Sequence, residues 1–323
     1  MESKFGSMWK QVETHLVGTF PRSEKLVAAT RAAVRGNLAQ SEVDRILDAD
    51  AQSLILLQQR SGIGIFTDGQ LNWQDLFRPF SQIFKGIEVG GLARWFDNNT
   101  FYRKPLITDK VRFTGDGLKQ YFRVELLPET SLKAAILPGP LTFALLAENK
   151  AYQSLENLVD DLAHSMKEVV GALRKMGYEY FQFSEPSICS RNRTKNEFDV
   201  AQHAFETCAN GNTAIQTYFG DASHVIDRLL EFPVESIGVD LYSTPVEPLA
   251  DHDFDKILGC GCIDGRNSLL ESPSELKDIV LGIRNSVEPA GIHLTPNCDL
   301  EFLPHPVAEK KVALLGEIGK LVV

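Results

Sequence analysis

The sequence lacks any run of the ~18 consecutive apolar residues that a membrane-spanning helix needs. Its first fifteen residues contain no apolar signal core followed by small residues, so we expect a cytoplasmic protein. Cysteine is scarce: five residues are dispersed over 323 positions, and this odd number argues against a disulfide framework. Acidic residues outnumber basic ones, and the net charge of −10 excludes general electrostatic recruitment of nucleic acid or anionic membranes.

What the sequence does contain is a recurring order of short apolar run, turn and amphipathic stretch. Short runs that are apolar on both faces are typical of buried parallel strands. Helical spacing of apolar residues fills the intervals, most clearly in Ser41–Gln59, Leu155–Lys175 and Ser274–Ser286. The apolar runs number eight: His15–Phe20, Ile63–Asp68, Ala134–Pro138, Tyr180–Glu185, Ala214–Phe219, Ser236–Leu241, Ile257–Ile263 and Ile292–Pro296.

Eight strands alternating with helices predict an α/β fold, a single (β/α)8 TIM barrel within one domain spanning residues 1–323. A doubly wound open sheet is the alternative, and it is disfavoured because no glycine-rich phosphate fingerprint follows the first run. One segment, about residues 87–130, interrupts the order with aromatic residues that alternate with polar ones. We interpret it as a hairpin-like insertion between strands 2 and 3.

Barrels of this kind place their functional groups at the carboxyl ends of the strands. This rule selects candidates without reference to any family. They are Thr19, Phe20, Arg22, Asp68, Gln70, Asn72, Ser184, Glu185, Tyr218, Asp221, Asp240, Tyr242, Cys262, Asp264, Arg266, Asn297, Cys298 and Asp299.

Five of these strand ends resemble motifs of the cobalamin-independent methionine synthases, in the same order along the chain. His15–Arg22 (HLVGTFPR) resembles the first strand, and Gly69–Asp75 (GQLNWQD) resembles the loop after the second. Leu137–Thr142 (LPGPLT) and Phe183–Pro186 (FSEP) resemble the third- and fourth-strand motifs. Thr295–Asp299 (TPNCD) resembles the eighth-strand turn that carries a zinc-binding cysteine.

The full-length family enzyme has two related barrels. Its carboxyl-terminal barrel holds zinc, homocysteine and the reactive end of the folate, whereas its amino-terminal barrel helps to bind the folate tail. This chain has the length of one barrel, and four segments resemble the amino-terminal one: QTYFGD, GVDLY, DGRN and RWFDNNTFY. The resemblance implies methyl transfer from a methyltetrahydrofolate-type donor to the homocysteine thiol in methionine biosynthesis. The chain would act as a folate-binding half with a separate zinc-bearing barrel, without cobalamin.

The resemblance also implies a zinc ligand set: a His-x-Cys pair on the fifth strand, an acidic residue after the sixth and a cysteine after the eighth. The pair falls here on Gln216 and Tyr218, neither of which is a normal zinc ligand. The candidates that remain are Asp240 and Cys298, with Cys262 as a possible ligand of a relocated site. The alternative is that the cysteines are buried core residues and hold no metal.

Candidates for substrate and folate binding come from the strand ends and the insertion: Thr19, Arg22, Asp68, Gln70, Arg94, Glu185, Asp264 and Arg266. The resemblance places Arg22 and Arg94 near the folate tail, where arginine pairs bidentately with carboxylates. Glu185 would orient an amine or a pterin-like ring, or would hold a loop by a salt bridge. For Asp264 and Arg266 an intramolecular ion pair is the favoured interpretation. No catalytic residue is assigned.

Three alternatives stay open at this point. The chain could be a non-catalytic barrel that has kept a pocket, because a barrel that has lost its catalytic activity would also lose metal ligands. It could be a self-sufficient thiol methyltransferase with a relocated zinc site. A decarboxylase of the uroporphyrinogen type would need no metal, but the motifs agree better with methionine synthases.

Overall fold

The fold is a parallel barrel surrounded by helices, seen in a computed structural model that describes residues 12–190 and 192–322. The expectation about the first residues of the chain therefore lies outside the described part. The strands are β1 (Val12–Thr14), β2 (Ile65–Phe66), β3 (Phe84–Arg94), β4 (Phe101–Phe113), β5 (Leu132–Pro138), β6 (Glu148–Asn149), β7 (Tyr180–Ser184), β8 (Thr213–Gln216), β9 (Ser236–Asp240), β10 (Ile257–Ile263) and β11 (Gly291–Pro296).

Eight of these strands form the barrel in the order β1-β11-β10-β9-β8-β7-β5-β2, and every pair is parallel. A parallel bridge between His15 and Ile65 joins β1 to β2 and closes the ring. The predicted (β/α)8 barrel is therefore confirmed, and the open doubly wound sheet is excluded.

The helices lie around the barrel. They are α1 (Glu24–Val34), α2 (Gln40–Ser61), α3 (Phe80–Ile83), α4 (Leu118–Tyr121), α5 (Pro140–Leu146), α6 (Leu155–Met176), α7 (Lys195–Cys208), α8 (Ile226–Leu230), α9 (Pro273–Ser286) and α10 (His305–Val322). The predicted helices correspond to α2, α6 and α9. The last begins after Ser272, whose hydroxyl accepts a hydrogen bond from Glu275 N. Within the described part, no helix is long and apolar enough to cross a membrane.

The position of the first strand was predicted wrongly. The predicted run His15–Phe20 begins where β1 ends, and its residues form the loop at the barrel mouth. The loop is apolar because Leu16 and Phe20 are buried in the main hydrophobic core. Gly18 is required in it, since a Cβ at this position would overlap the carboxylate of Asp299.

The predicted insertion is an antiparallel hairpin of β3 and β4, which starts three residues earlier than the predicted bound. Its inner face packs on the barrel through aromatic rings. Phe77 lies 5.8 Å from Trp95, 5.4 Å from Tyr102 and 5.0 Å from Phe143 of α5, measured between ring centroids. The hairpin tip is thereby held over the mouth of the barrel.

The interior of the barrel is polar at its centre. The rings of His15, Tyr180 and His293 lie 5.3 to 5.5 Å apart. Tyr180 is on β7, which is adjacent to neither β1 nor β11, so its contacts with the two histidines cross the interior. Gln182 likewise donates to Val17 O at 2.7 Å across the barrel. Burial lowers the pKa of His15 to about 4, so this imidazole is neutral at pH 7.

Candidate functional site

Thr19, Gln70 and Asp299 meet at the mouth, where the loops after β1, β2 and β11 converge. The Thr19 hydroxyl lies 3.2 Å from Gln70 Oε1, and the Thr19 backbone N–H donates to Asp299 Oδ1 at 2.8 Å. The Gln70 amide also donates to Ile136 O at 3.1 Å. Asp68 supports this arrangement because its carboxylate accepts from the backbone N–H groups of Gln70 and Arg123.

Glu185 is fully buried, and its carboxylate faces the amino-terminal end of α5. Oε1 accepts from Thr142 N at 2.5 Å and Oε2 accepts from Leu141 N at 3.2 Å. The carboxylate therefore caps a helix whose first N–H groups would otherwise lack partners. Burial raises the pKa of Glu185 to about 7. The backbone contact is possible because residue 139 is glycine, whose missing Cβ leaves room for the carboxylate.

Asp240 and Asn297 link the ends of three neighbouring strands. Asp240 Oδ1 accepts from Asn297 Nδ2 at 3.0 Å, and Asn297 Oδ1 accepts from Gly265 N at 2.8 Å. Ser243 and the backbone N–H of Tyr242 also donate to the Asp240 carboxylate. Burial raises the pKa of Asp240 above its ordinary value, although these hydrogen bonds oppose the shift.

Asp264 and Arg266 do not form the ion pair that the sequence favoured. Asp264 Oδ1 accepts from the backbone N–H of Arg266 at 2.9 Å, which shapes the turn. The Arg266 guanidinium extends over the ring of Phe219, 5.1 Å from its centroid, and reaches Asp97 Oδ1 at 3.6 Å. Arg266 thus bridges the loop after β10 to the tip of the hairpin.

The contact between hairpin and mouth is made by residues with strained backbones. Phe96 in the hairpin turn packs on Phe219, with ring centroids 5.5 Å apart. Both residues have positive φ, 49° and 63°, and Gln70 and Gln74 near the same mouth have φ of 53° and 68°. Non-glycine residues adopt this conformation only when the surroundings impose it, and such residues cluster at functional sites.

The two arginines predicted near a folate tail lie in different surroundings. Arg22 is half-buried and lines two cavities, of about 710 Å³ and 470 Å³. Burial lowers its pKa. Arg94 is exposed on the hairpin, and its Nε donates to Asn98 O at 2.7 Å within the same turn. Arg22 therefore lines these two cavities, whereas Arg94 stabilises the hairpin tip.

The two positions that were compared with a His-x-Cys pair are filled by side chains of the barrel core. Gln216 and Tyr218 are both at most 2% exposed. Tyr218 forms a hydrogen bond with Ser184 and lies near Cys298 and Asp299, both of which raise its pKa in addition to burial. A phenol fixed in this way occupies space beside the remaining candidate ligands.

The candidate metal residues do not converge. Among residues 12–190 and 192–322, no group of three or more His, Cys, Asp or Glu side chains is arranged to hold a metal ion. Burial raises the pKa of Cys262 to about 12 and that of Cys298 well above its ordinary value, as expected for buried thiols without a metal. In the described part of the chain, Asp240, Cys262 and Cys298 are not arranged as a three-ligand zinc site.

Two features of the mouth were not found from the sequence. Lys311 of α10 is fully buried, and its Nζ donates to Glu271 Oε1 at 2.6 Å and to Asp264 O at 2.8 Å. Glu271 Oε1 also accepts from Asp264 N at 2.8 Å, so the pair holds the turn that carries Arg266. Glu301 is the second feature, because its half-buried carboxylate lines the same cavity as Arg22. No local sequence pattern signals either one.

Comparison with known proteins gives a consistent family. Residues 82–287, more than half of the chain, match the family described as "Cobalamin-independent synthase, N-terminal domain". Methionine synthases from Saccharolobus solfataricus and Sulfurisphaera tokodaii are each 24% identical, over 96% of this chain and 94% and 92% of their own lengths.

Solved structures agree in fold. A B12-independent methionine synthase from Shewanella sp. W3-18-1, in complex with selenomethionine, superposes with a TM-score of 0.79 at 19% identity, covering 96% of this chain and 97% of that one. A putative B12-independent methionine synthase from Listeria monocytogenes gives 0.76 at 16% identity, covering 96% and 98%. The match of the family model over most of the barrel establishes that the chain belongs to the cobalamin-independent methionine synthase family.

Proposed function

We propose that this protein is the folate-binding half of a methyl-transfer system and acts in the cytoplasm. It binds a methyltetrahydrofolate-type donor and works with a separate zinc-bearing barrel that holds the homocysteine thiol. The observation that carries this proposal is Tyr218, which is buried and hydrogen-bonded to Ser184 where the family's metal-bearing barrels have a cysteine. Activation of the thiol then falls to the partner, and this chain contributes by positioning the donor.

The cavity of about 710 Å³ beside α1 and α2 is the proposed site for the donor's tail of carboxylates. Arg22, Lys119 and Arg123 line it, together with the amide side chains of Asn72 and Gln74. Arg123 is already paired with Asp48 at 2.9 Å, so Arg22 and Lys119 are the cations available to a ligand. Cations of this kind stabilise a carboxylate chain through charge-assisted hydrogen bonds.

The remaining candidates divide by what their polar atoms already contact. Thr19 and Arg266 lie at the mouth and are proposed to contact the donor. Gln70 is buried, and its amide is bonded to Thr19 and to Ile136 O, so it is proposed to shape the site. Asp68, Glu185 and Asp264 accept backbone hydrogen bonds and are proposed to shape the site without contacting the donor. Arg94 acts through the hairpin turn that it stabilises.

A self-sufficient methyltransferase is the second candidate, because the chain covers 94% of a relative that is itself named a methionine synthase. It would require a relocated zinc site with Cys262 and Cys298. A non-catalytic barrel that has kept its pocket is the third candidate. Metal content and a two-component assay separate the three.

The test starts with mass spectrometry of purified, untagged protein for zinc, with Cys262→Ser and Cys298→Ser variants. We expect no stoichiometric zinc, tight binding of methyltetrahydropteroyl-triglutamate, and methyl transfer to homocysteine only after addition of a zinc-bearing barrel. The Arg22→Gln and Lys119→Gln variants should each weaken triglutamate binding, while Lys310→Gln, an exposed control, should not. One zinc per chain that either cysteine variant loses would support the self-sufficient enzyme. Failure to bind the triglutamate or to support transfer would leave the non-catalytic barrel.

A further inference from the structure

Lys311 of α10 is a fully buried cation whose hydrogen bonds lead to one loop at the mouth, residues 264–271. Its Nζ donates to Asp264 O at 2.8 Å and to Glu271 Oε1 at 2.6 Å. Glu271 Oε1 also accepts from Asp264 N at 2.8 Å. The ammonium group and the carboxylate therefore hold both peptide groups of Asp264, the first residue after β10.

Packing alone does not require a buried ion pair at this position. The attraction between two buried charges is offset by their desolvation, so two apolar side chains of similar volume would stabilise the contact about as well. Apolar side chains cannot, however, form hydrogen bonds with the N–H and C=O groups of Asp264. The particular contribution of Lys311 and Glu271 is therefore to the geometry of the loop.

The loop carries Arg266. Asp264 Oδ1 accepts from Arg266 N at 2.9 Å, so the fixed position of Asp264 sets the backbone of Arg266. The Arg266 guanidinium lies 5.1 Å from the centroid of the Phe219 ring and 3.6 Å from Asp97 Oδ1. Asp97 is 80% exposed, and an ion pair of this kind contributes little on its own. The position of the guanidinium therefore depends on the backbone of the loop.

The middle of the loop is open to solvent. Leu269 is 74% exposed, and its N–H donates to Asn267 Oδ1 within the loop. Asn297 holds the loop from the side of β11, because its Oδ1 accepts from Gly265 N at 2.8 Å. Lys311 holds it from the side of α10, where it joins the first and last residues of the loop.

We propose that Lys311 is a positioning residue for the methyl donor, because it fixes the loop that presents the Arg266 guanidinium at the mouth. The inference rests on the proposed function, which gives Arg266 a contact with the donor. A guanidinium that is held in place before binding loses little conformational freedom when it pairs with a ligand group. Without Lys311 the donor would bind more weakly, although Arg266 itself is still present.

The test uses Lys311→Met together with Glu271→Met, because this double variant leaves no uncompensated buried charge. We expect it to bind methyltetrahydropteroyl-triglutamate about tenfold more weakly than the wild type in titration calorimetry, as Arg266→Gln should. The double variant combined with Arg266→Gln should bind no more weakly than Arg266→Gln alone, since both changes act through one contact. Lys310→Met, an exposed control on the same helix, should leave the affinity unchanged.

Hydrogen exchange gives a second measurement that needs no ligand. The amides of residues 264–271 should exchange at least about tenfold faster in the double variant than in the wild type, because the loop opens more easily. Equal exchange in this loop would overturn the positioning role, as would wild-type donor affinity in the double variant or additive effects with Arg266→Gln. If the wild type binds no triglutamate, the proposed function fails, and the exchange of the loop still decides whether Lys311 fixes it.

Discussion

Asp299 and Thr19 tie the last barrel strand to the first, because the Thr19 N–H donates to Asp299 Oδ1 at 2.8 Å. Glu301 N returns a hydrogen bond to Thr19 O at 3.0 Å, so Thr19 is held on both sides of its peptide unit. The contact depends on Gly18, where a Cβ would overlap the Asp299 carboxylate.

Gly18→Ala should therefore destabilise the protein. Displacing the Asp299 carboxylate breaks a partly buried, charge-assisted hydrogen bond, and we expect a loss of about 1–3 kcal/mol in the free energy of unfolding. Urea denaturation at pH 7 measures it. Gly282→Ala in α9 is the control, since a Cβ there meets no atom within 4 Å and alanine favours the helix. Equal stability of the Gly18→Ala variant and wild type would contradict this assignment.

Glu185 should make stability depend on pH. The pKa of Glu185 is about 7 in the folded protein, above the ordinary value of 4.5, so the fold favours the protonated carboxyl. The contribution of Glu185 to the free energy of unfolding is therefore fully present below about pH 4.5 and is lost as the pH rises through 7. Between pH 5 and pH 8 the free energy of unfolding should fall less in the Glu185→Gln variant than in the wild type, by about 1–3 kcal/mol. Thermal or urea unfolding across this range measures it. A residual slope is expected, because burial also raises the pKa values of Asp68 and Asp240. Identical pH profiles of the variant and wild type would show that Glu185 does not titrate in this window.

The buried pair of Lys311 and Glu271 should be strongly sensitive to loss of one partner. The Lys311 side chain is fully buried and that of Glu271 is 11% exposed. Lys311→Met leaves the carboxylate uncompensated, and we expect a loss of about 3–5 kcal/mol, partly recovered by adding Glu271→Met. Calorimetry of the single and double variants measures these changes in the free energy of unfolding. Lys310→Met, next to it but exposed, should change the stability by less than about 0.5 kcal/mol. A similar small effect at Lys311 would mean that the pair is not buried in solution.

Introducing the His-x-Cys pair that the resemblance implies at positions 216 and 218 should create a zinc site. Gln216→His with Tyr218→Cys removes the phenol and supplies a His-x-Cys pair near Asp240 and Cys298. We expect the double variant to bind zinc stoichiometrically, since four suitable ligands are then available. Mass spectrometry after dialysis, with Cys298→Ser added as the negative control, measures the gain. Zinc in the wild-type protein at the same level would show that Tyr218 does not block the metal.

Most of the barrel could be predicted because its strands are short, local and buried on both faces. The range of β10 was predicted at its observed bounds, and β7 differs from its prediction by one residue. The position of the first strand was predicted wrongly because the buried loop from Leu16 to Phe20 is as apolar as a strand. An apolar run alone cannot distinguish a buried loop from a strand.

The functional site was harder to predict because its contacts join residues far apart in the chain. Arg22 and Glu301 line one cavity but are separated by most of the sequence. Lys311 is a lysine within an amphipathic helix, and only its pairing with Glu271 explains its burial. The predicted ion pair between Asp264 and Arg266 was wrong because Arg266 pairs instead with Asp97, which lies in the hairpin, far away in the sequence.

The aromatic inner face of the β3–β4 hairpin also limits how this protein can be shortened. Phe77 is buried against Trp95 and Tyr102 on one side and against Phe143 of α5 on the other. Removal of the hairpin would expose these rings to water as one continuous apolar surface, and surfaces of this kind promote aggregation. The insertion thus contributes to solubility as well as to the shape of the mouth, and attempts to reduce the chain to its eight barrel units should replace these aromatic side chains at the same time.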